Sequence, residues 1–319
     1  MLQSAITEMS DFGMNTSITY RVIGEKGENV IALAESEVLR LEKKLSRFIA
    51  DSEVSKINLN SGLCDVKISN ETYEVLSYAL TLSEITQGLF DITVAPLIDL
   101  WDYKHSFRVP FKFKIQRNLH KINYHELILN PDDKTAFLRR SGQAIDLGGI
   151  GKGYASDRCI KLFKQYGVTS AYVSIGGNVS TLGIKPDESL WSVGIRHPRF
   201  EGCLIGAVKV SGKSVVTSGD YERYFVDRKG NRWHHILNPT TGYPARSGLV
   251  SVTVVNESAM TADALSTAIF VAGINKGLGY LDYFKGSEVI LVDDNLKVYI
   301  TKGLNEYFQP LEGLKVSII

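Results

Sequence analysis

Apolar positions recur along this chain at two spacings, and the spacings alternate. Ser17 to Ile23 steps apolar and polar by turns, which predicts a strand with one face buried. Val30, Ala34, Val38, Leu41, Leu45 and Phe48 then recur every three or four residues, which places them on one face of a helix. A second helix is expected after Asn70 as N-cap, with Val75, Leu76, Ala79 and Leu80 on its buried side and Gly88 as its stop. A third should run from about Gly153 to Tyr166, ahead of Gly167, and Ala171 to Ile175 reads as a buried strand closed by Gly176 and Gly177. Short strand-like runs follow at Trp191–Ile195, Leu204–Val210, Arg232–Leu237 and Leu249–Val255. A helix from about Ala262 to Val271 comes next, ended by Gly273. Val289–Val292 and Leu296–Ile300 flank the turn residues Asp293, Asp294 and Asn295, as in a hairpin. Helices and short strands without a regular βαβ repeat predict an α+β fold, with mixed or antiparallel sheets and packed helices. No linker divides residues 1–319, so they read as one unit, or as two closely packed subdomains with no visible boundary.

Bulk composition mainly excludes. The chain has 319 residues, enough for full hydrophobic cores, and 36 Lys and Arg against 35 Asp and Glu. That balance provides no field for gathering nucleic acid or anionic membrane. The N-terminus lacks the basic and apolar regions of a leader, and no run is long and apolar enough to span a bilayer. Cys64, Cys159 and Cys203 are scattered and odd in number, which fits neither a disulfide framework nor a zinc site. These readings predict a cytoplasmic protein with reduced thiols and no membrane anchor.

Three segments carry candidate chemistry. Asp146-Leu147-Gly148-Gly149-Ile150-Gly151-Lys152-Gly153 precedes a helix, so its backbone N–H groups, the helix dipole and Lys152 together suit a phosphate or pyrophosphate. It matches neither the dinucleotide fingerprint nor the P-loop, since Tyr154 and Gly153 stand where those motifs need other residues. Asp263 and Thr267 lie one helical turn apart and offer two hard oxygen donors to an ion such as Mg2+. Asp263 in a first turn also has a simpler use, complementing the helix dipole without a metal. His234 and His235 adjoin the polar turn Asn238–Pro244. On a strand they face opposite sides and cannot share one ion, and His235 is a candidate proton shuttle or phosphate contact.

Taken in order, these segments and several others resemble the FAD:protein FMN transferase family, the ApbE-like flavin transferases. The matching stretches are Phe12–Thr16, Leu45–Phe48 with Ser52–Asn58, Gly88–Leu97 with Trp101, Asp146–Asp157, Ser174–Asn178, Thr217–Tyr224, His235–Pro244 and Ala262–Thr267. The resemblance implies that Met14, Phe48, Leu89, Phe90, Asp91, Asp146, Lys152 and Leu237 line the FAD site. It implies Mg2+ on the carbonyl of Gly149 and the side chains of Asp263 and Thr267, with Ser266 close by and His235 near the reacting phosphate. The implied reaction moves FMN from FAD to a Thr or Ser hydroxyl of an acceptor flavoprotein and releases AMP, with Asp263, His235 and Lys152 as catalytic candidates. Asp263 and His235 both remain candidates for the base. Two other outcomes use the same site: hydrolysis of FAD to FMN and AMP, and FAD binding without turnover. The chain departs from the commoner family pattern at Asn15 (often Gly), Phe48 (often Tyr), Asn238 (often Asp) and Thr240 (often Arg). An acceptor would be cytoplasmic, or a cytoplasm-facing part of a membrane protein.

Overall fold

The computed structural model describes residues 5–103 and 105–319; the first four residues of the stretch read for a leader lie outside that range. A nine-stranded sheet forms the middle layer. Its spatial order is Ile6–Gly13, Thr16–Ile23, Ser170–Ile175, Asn178–Leu182, Ser214–Gly219, Leu249–Asn256, Glu288–Asp293, Val298–Ile300 and Val316–Ile318. Every neighbouring pair is antiparallel except the last. The helices Gly27–Leu45, Gly151–Gln165 and Ala259–Ala272 cover one face, and a small sheet of Trp191–Arg196, Leu204–Val210 and Phe308–Pro310 covers the other. The fold is therefore α+β, with mostly antiparallel sheets, as the alternating spacings predict.

Leu249–Asn256 shows why the layers stack this way. All eight residues are buried, so both faces of the strand are covered. Leu249, Val252 and Val254 belong to the core under the helices, whereas Val250 and Val255 belong to the core under the small sheet. Strict alternation would put Val250 and Val252 on one face; a register shift between Leu249 and Ser251 changes the parity.

Most elements start and stop within a few residues of expectation, and the differences have local causes. The Asn70–Thr86 helix is capped by Ser69, whose hydroxyl accepts from the Thr72 N–H, rather than by Asn70. It ends on Gln87 in the left-handed region (φ 54°), one residue before Gly88. The strand expected to reach Leu237 stops at His234, because the chain turns away through a lone bridge between Leu237 and Pro244.

The expected Ala262–Val271 helix begins a turn earlier, at Ala259. Ser258 caps it, and Asp157 on the neighbouring helix accepts from the Ala259 and Met260 N–H groups and the Ser258 hydroxyl. Asp263 thus sits in the second turn, too deep to serve the helix dipole. Its carboxylate is directed elsewhere.

Candidate active site at the meeting of two helices and a hairpin

A cavity of about 660 Å³ opens where the Gly151–Gln165 and Ala259–Ala272 helices meet the sheet. Gly153 makes that meeting possible. A Cβ there would stand 2.3 Å from the Ala259 carbonyl oxygen and 2.7 Å from Met260 Cα, so any other residue forces the helices apart. The close approach brings the Gly153 N–H to Asp263 Oδ2 at 2.9 Å. Asn178, on the hairpin after Gly176 and Gly177, donates to Asp263 Oδ1 at 3.1 Å. Lys152 Nζ lies 3.6 Å from the same oxygen and donates to the Gly148 carbonyl at 2.7 Å.

The glycine turn differs from the open anion cradle expected of it. Gly148, Gly149, Gly151 and Gly153 all avoid positive φ. Three of their N–H groups are satisfied within the chain: Gly148 by Asp146 Oδ1, Gly151 by the Leu147 carbonyl and Gly153 by Asp263. The glycines act by lacking a side chain. A Cβ on Gly149 would lie 3.4 Å from the Phe90 ring and 3.6 Å from Thr267 Oγ1, so the turn rests directly on the second helix.

Behind Asp263 runs a line of hydroxyls. Ser218, on the strand Ser214–Gly219, meets Ser266 Oγ at 2.8 Å and Thr267 Oγ1 at 3.1 Å. Ser266 is fully buried, donates to the Asp263 carbonyl and is set back from the cavity surface, whereas Thr267 lines it. The Asp263 carboxylate and the Thr267 hydroxyl both offer oxygen, the ligand atom a hard cation prefers. The carboxylate, the Thr267 hydroxyl and the nearby Gly149 backbone therefore fit Mg2+.

The remaining candidates line the same cavity: Met14, Phe48, Leu89, Phe90, Asp91, Asp146, His235 and Leu237. Met14 and Asn15 both have positive φ and close the two-residue turn between Gly13 and Thr16. Asn tolerates that conformation, but Met adopts it at a cost of about 1 kcal/mol, of the kind found where a side chain is held for a purpose. The Asp91 carboxylate is occupied by the Thr93 N–H and hydroxyl and by the Tyr124 N–H; burial raises its pKa. Its role within the chain is to hold the cavity wall.

His234 and His235 part, although the strand ends at His234. His234 is buried, with Nε2 2.9 Å from the Ala245 carbonyl, whereas half-buried His235 faces the cavity. Lost solvation, with Arg223 and His234 nearby, pushes the His235 pKa down to about 3. The ring is neutral. Its Nδ1 lies 3.3 Å from the Arg223 carbonyl, an acceptor only, so Nδ1 carries the proton and Nε2 the lone pair.

Four residues that received no role from the sequence stand at the site. Asn178 and Ser218 hold Asp263 and Thr267, Arg223 lines the cavity, and Arg47 pairs through Nε with Asp146 Oδ2 at 2.6 Å. Each lies inside or beside a matched stretch, but its partner is remote in sequence, so spacing alone carries no signal.

Comparison with known proteins agrees with this architecture. The ApbE family model matches residues 13–291. An FAD:protein FMN transferase of Klebsiella pneumoniae is 34% identical over 278 residues, which cover 86% of each chain. One of Treponema pallidum is 30% identical over 321 residues, covering 94% of this chain and 88% of the relative. The ApbE protein of Thermotoga maritima has a crystal structure that superposes with a TM-score of 0.88 at 34% identity, covering 95% of this chain and 99% of that one. The apo form of the Pseudomonas stutzeri flavinyl transferase ApbE gives 0.85 at 29% identity, covering 97% and 98%. The chain belongs to the ApbE family, a family of FAD:protein FMN transferases.

Proposed function

We propose that this chain transfers the FMN half of FAD to a Thr or Ser hydroxyl of an acceptor flavoprotein and releases AMP, with Mg2+ as the cofactor. The observation that carries the reading is the convergence of Asp263, Thr267, Lys152 and the Gly149 turn on one cavity, beside a neutral His235. Asp263, Thr267 and the Gly149 carbonyl would hold the ion, with Ser266 fixing Asp263 from behind. When bound, Mg2+ neutralises charge on the pyrophosphate oxygens.

The chain's own groups do the rest. Lys152 and Arg223 supply positive charge to the phosphates. Met14, Phe48, Leu89, Phe90 and Leu237 offer apolar surface to the isoalloxazine. The acceptor oxygen bonds to the FMN-side phosphorus, and the bond from that phosphorus to the bridging oxygen breaks. AMP leaves with the bridging oxygen. Both Asp263 oxygens already accept hydrogen bonds from the chain, which suits an anchor. The lone pair of His235 Nε2 would take the hydroxyl proton.

Asp263→Asn tests the reading. It keeps the shape but removes the anionic anchor, and transfer should fall by about 10²-fold or more, the scale of losing a charge-stabilising group. The assay supplies FAD, Mg2+ and an acceptor subunit and measures the acceptor's mass gain and AMP. Undiminished labelling by the variant contradicts the proposed site. Equal AMP release by the parent with and without acceptor identifies a hydrolase instead, and FAD binding with no AMP at all identifies a binding protein.

A further inference from the structure

One surface of the molecule combines exposed cations with exposed aromatic rings. From His105 to His125 the sequence has five Lys or Arg and no Asp or Glu, although acidic and basic residues nearly balance over the whole chain. Arg108, Lys112, Lys114 and Arg117 are exposed, and none of them is in an ion pair among the described residues. Interleaved with them, Phe107, Phe111 and Phe113 are 66%, 70% and 64% exposed. Solvated loops do not ordinarily carry three exposed phenylalanines in seven residues, and such clusters mark contact surfaces.

The patch is continuous with the cavity. Tyr103 and His105, just before it, line the opening. Phe107 packs edge-on against Phe225, two residues beyond Arg223, which also lines the cavity. The short helix Lys112–Leu119 is fixed from below by Ile115, buried against Leu97, Trp101 and Leu237. Ile115 and Leu119 are thus turned inward, so this helix does not offer its aliphatic face to a bilayer. What it presents is a rigid, cationic, aromatic shelf beside the opening through which an acceptor hydroxyl must enter.

We propose that this shelf docks the acceptor protein, and that the acceptor's complementary surface is acidic with apolar residues at its centre. The proposal rests on the transferase reading and names the partner's chemistry. Charge sets encounter and orientation, and the phenylalanines supply the desolvated contact.

The test uses the full chain, the variants Lys112→Glu/Lys114→Glu/Arg117→Glu and Phe111→Ser/Phe113→Ser, and the apo form of a flavoprotein subunit from the same organism that carries covalent FMN when isolated from its native source. Binding of that subunit is titrated directly, and transfer is followed in parallel. Each variant should weaken subunit binding and raise the acceptor KM by about tenfold or more, with kcat and FAD affinity unchanged. Added salt should weaken binding by the parent and have less effect on the charge variant. Unchanged subunit affinity in both variants overturns the proposal. So does a patch-dependent attachment to phosphatidylserine-containing vesicles with subunit affinity intact, which would make the shelf a membrane contact. Subunit binding through the shelf without FMN transfer would leave the docking surface standing and sink the transferase reading, so the two failures are distinct.

Discussion

At the scale of single residues, the site depends in part on charges whose partners are remote in sequence. Arg47 is the clearest case. Its guanidinium is 9% exposed, pairs with Asp146 at 2.6 Å and with Asp99 at 2.5 Å, and lies over the Phe48 ring at 4.8 Å. Asp146 in turn accepts from the Gly148 N–H, so Arg47 ties the glycine turn to the Phe48 side of the cavity. Only a planar, forked cation spans two carboxylates and a ring together. Arg47→Lys should therefore raise the FAD dissociation constant by about tenfold, roughly 1.4 kcal/mol, and Arg47→Met by more, because it leaves two carboxylates unpaired. The turnover rate at saturating FAD should change little, since Arg47 acts through the residues it positions. Flavin fluorescence titration measures the first quantity and single-turnover transfer the second. An unchanged dissociation constant in both variants would remove Arg47 from the binding site.

At the scale of elements, the two helices meet through an atom that is missing. Gly153→Ala places a Cβ against the Ala259 carbonyl, and backbone on both sides prevents an easy rotamer escape. The expected cost is about 1–3 kcal/mol of stability, as for other overpacked contacts, with transfer reduced because the Gly153 N–H moves off Asp263. Gly149→Ala is the informative control: its Cβ would meet only the Phe90 ring at 3.4 Å and Thr267 at 3.6 Å, so activity should suffer more than the melting temperature. A Gly153→Ala protein that melts like the parent would refute the close-contact account. The same helices mark how far the sequence could be read. Apolar spacing of three residues marks the Gly151–Gln165 helix, because burial on one face leaves a periodic trace, whereas the Ala259–Ala272 helix is buried on nearly every side and shows only as an apolar run closed by Gly273. The true start at Ala259 went unread because its cap combines Ser258 with Asp157 from another helix, and a cap supplied across space leaves no local pattern. The density of glycine predicts an anion cradle, but it does not show which N–H groups are taken within the chain: Gly148 by Asp146, Gly151 by the Leu147 carbonyl and Gly153 by the remote Asp263.

Across the whole molecule, the sheet, the helices and the aromatic cluster around Trp101 meet at the His234–His235 step. Trp101 Nε1 donates to the Gly242 carbonyl, and His234 joins Ala245 on the other limb of the same turn. Burial lowers the His234 pKa, and lost solvation takes His235 down to about 3, so the native state holds both imidazoles neutral. The unfolded chain protonates them near about pH 6.5, so it binds more protons below that value. Stability from these two residues is therefore complete above about pH 6.5 and declines as the pH falls below it, with His235 losing its share progressively toward about pH 3. Buried Asp91 and Asp157 oppose this at lower pH: burial raises both pKa values, so protonating them favours the native state. The profile alone thus mixes two signs, and a variant separates them. Urea midpoints of the parent should fall between about pH 8 and about pH 5, and His235→Gln, which cannot protonate, should show a shallower fall over the same interval. An equal fall in parent and variant would mean that His235 titrates normally and is solvated. That outcome would not remove His235 as the base, because an imidazole with the ordinary value of about 6.5 is still neutral at about pH 7 to 8 and accepts a proton more readily than one held near 3.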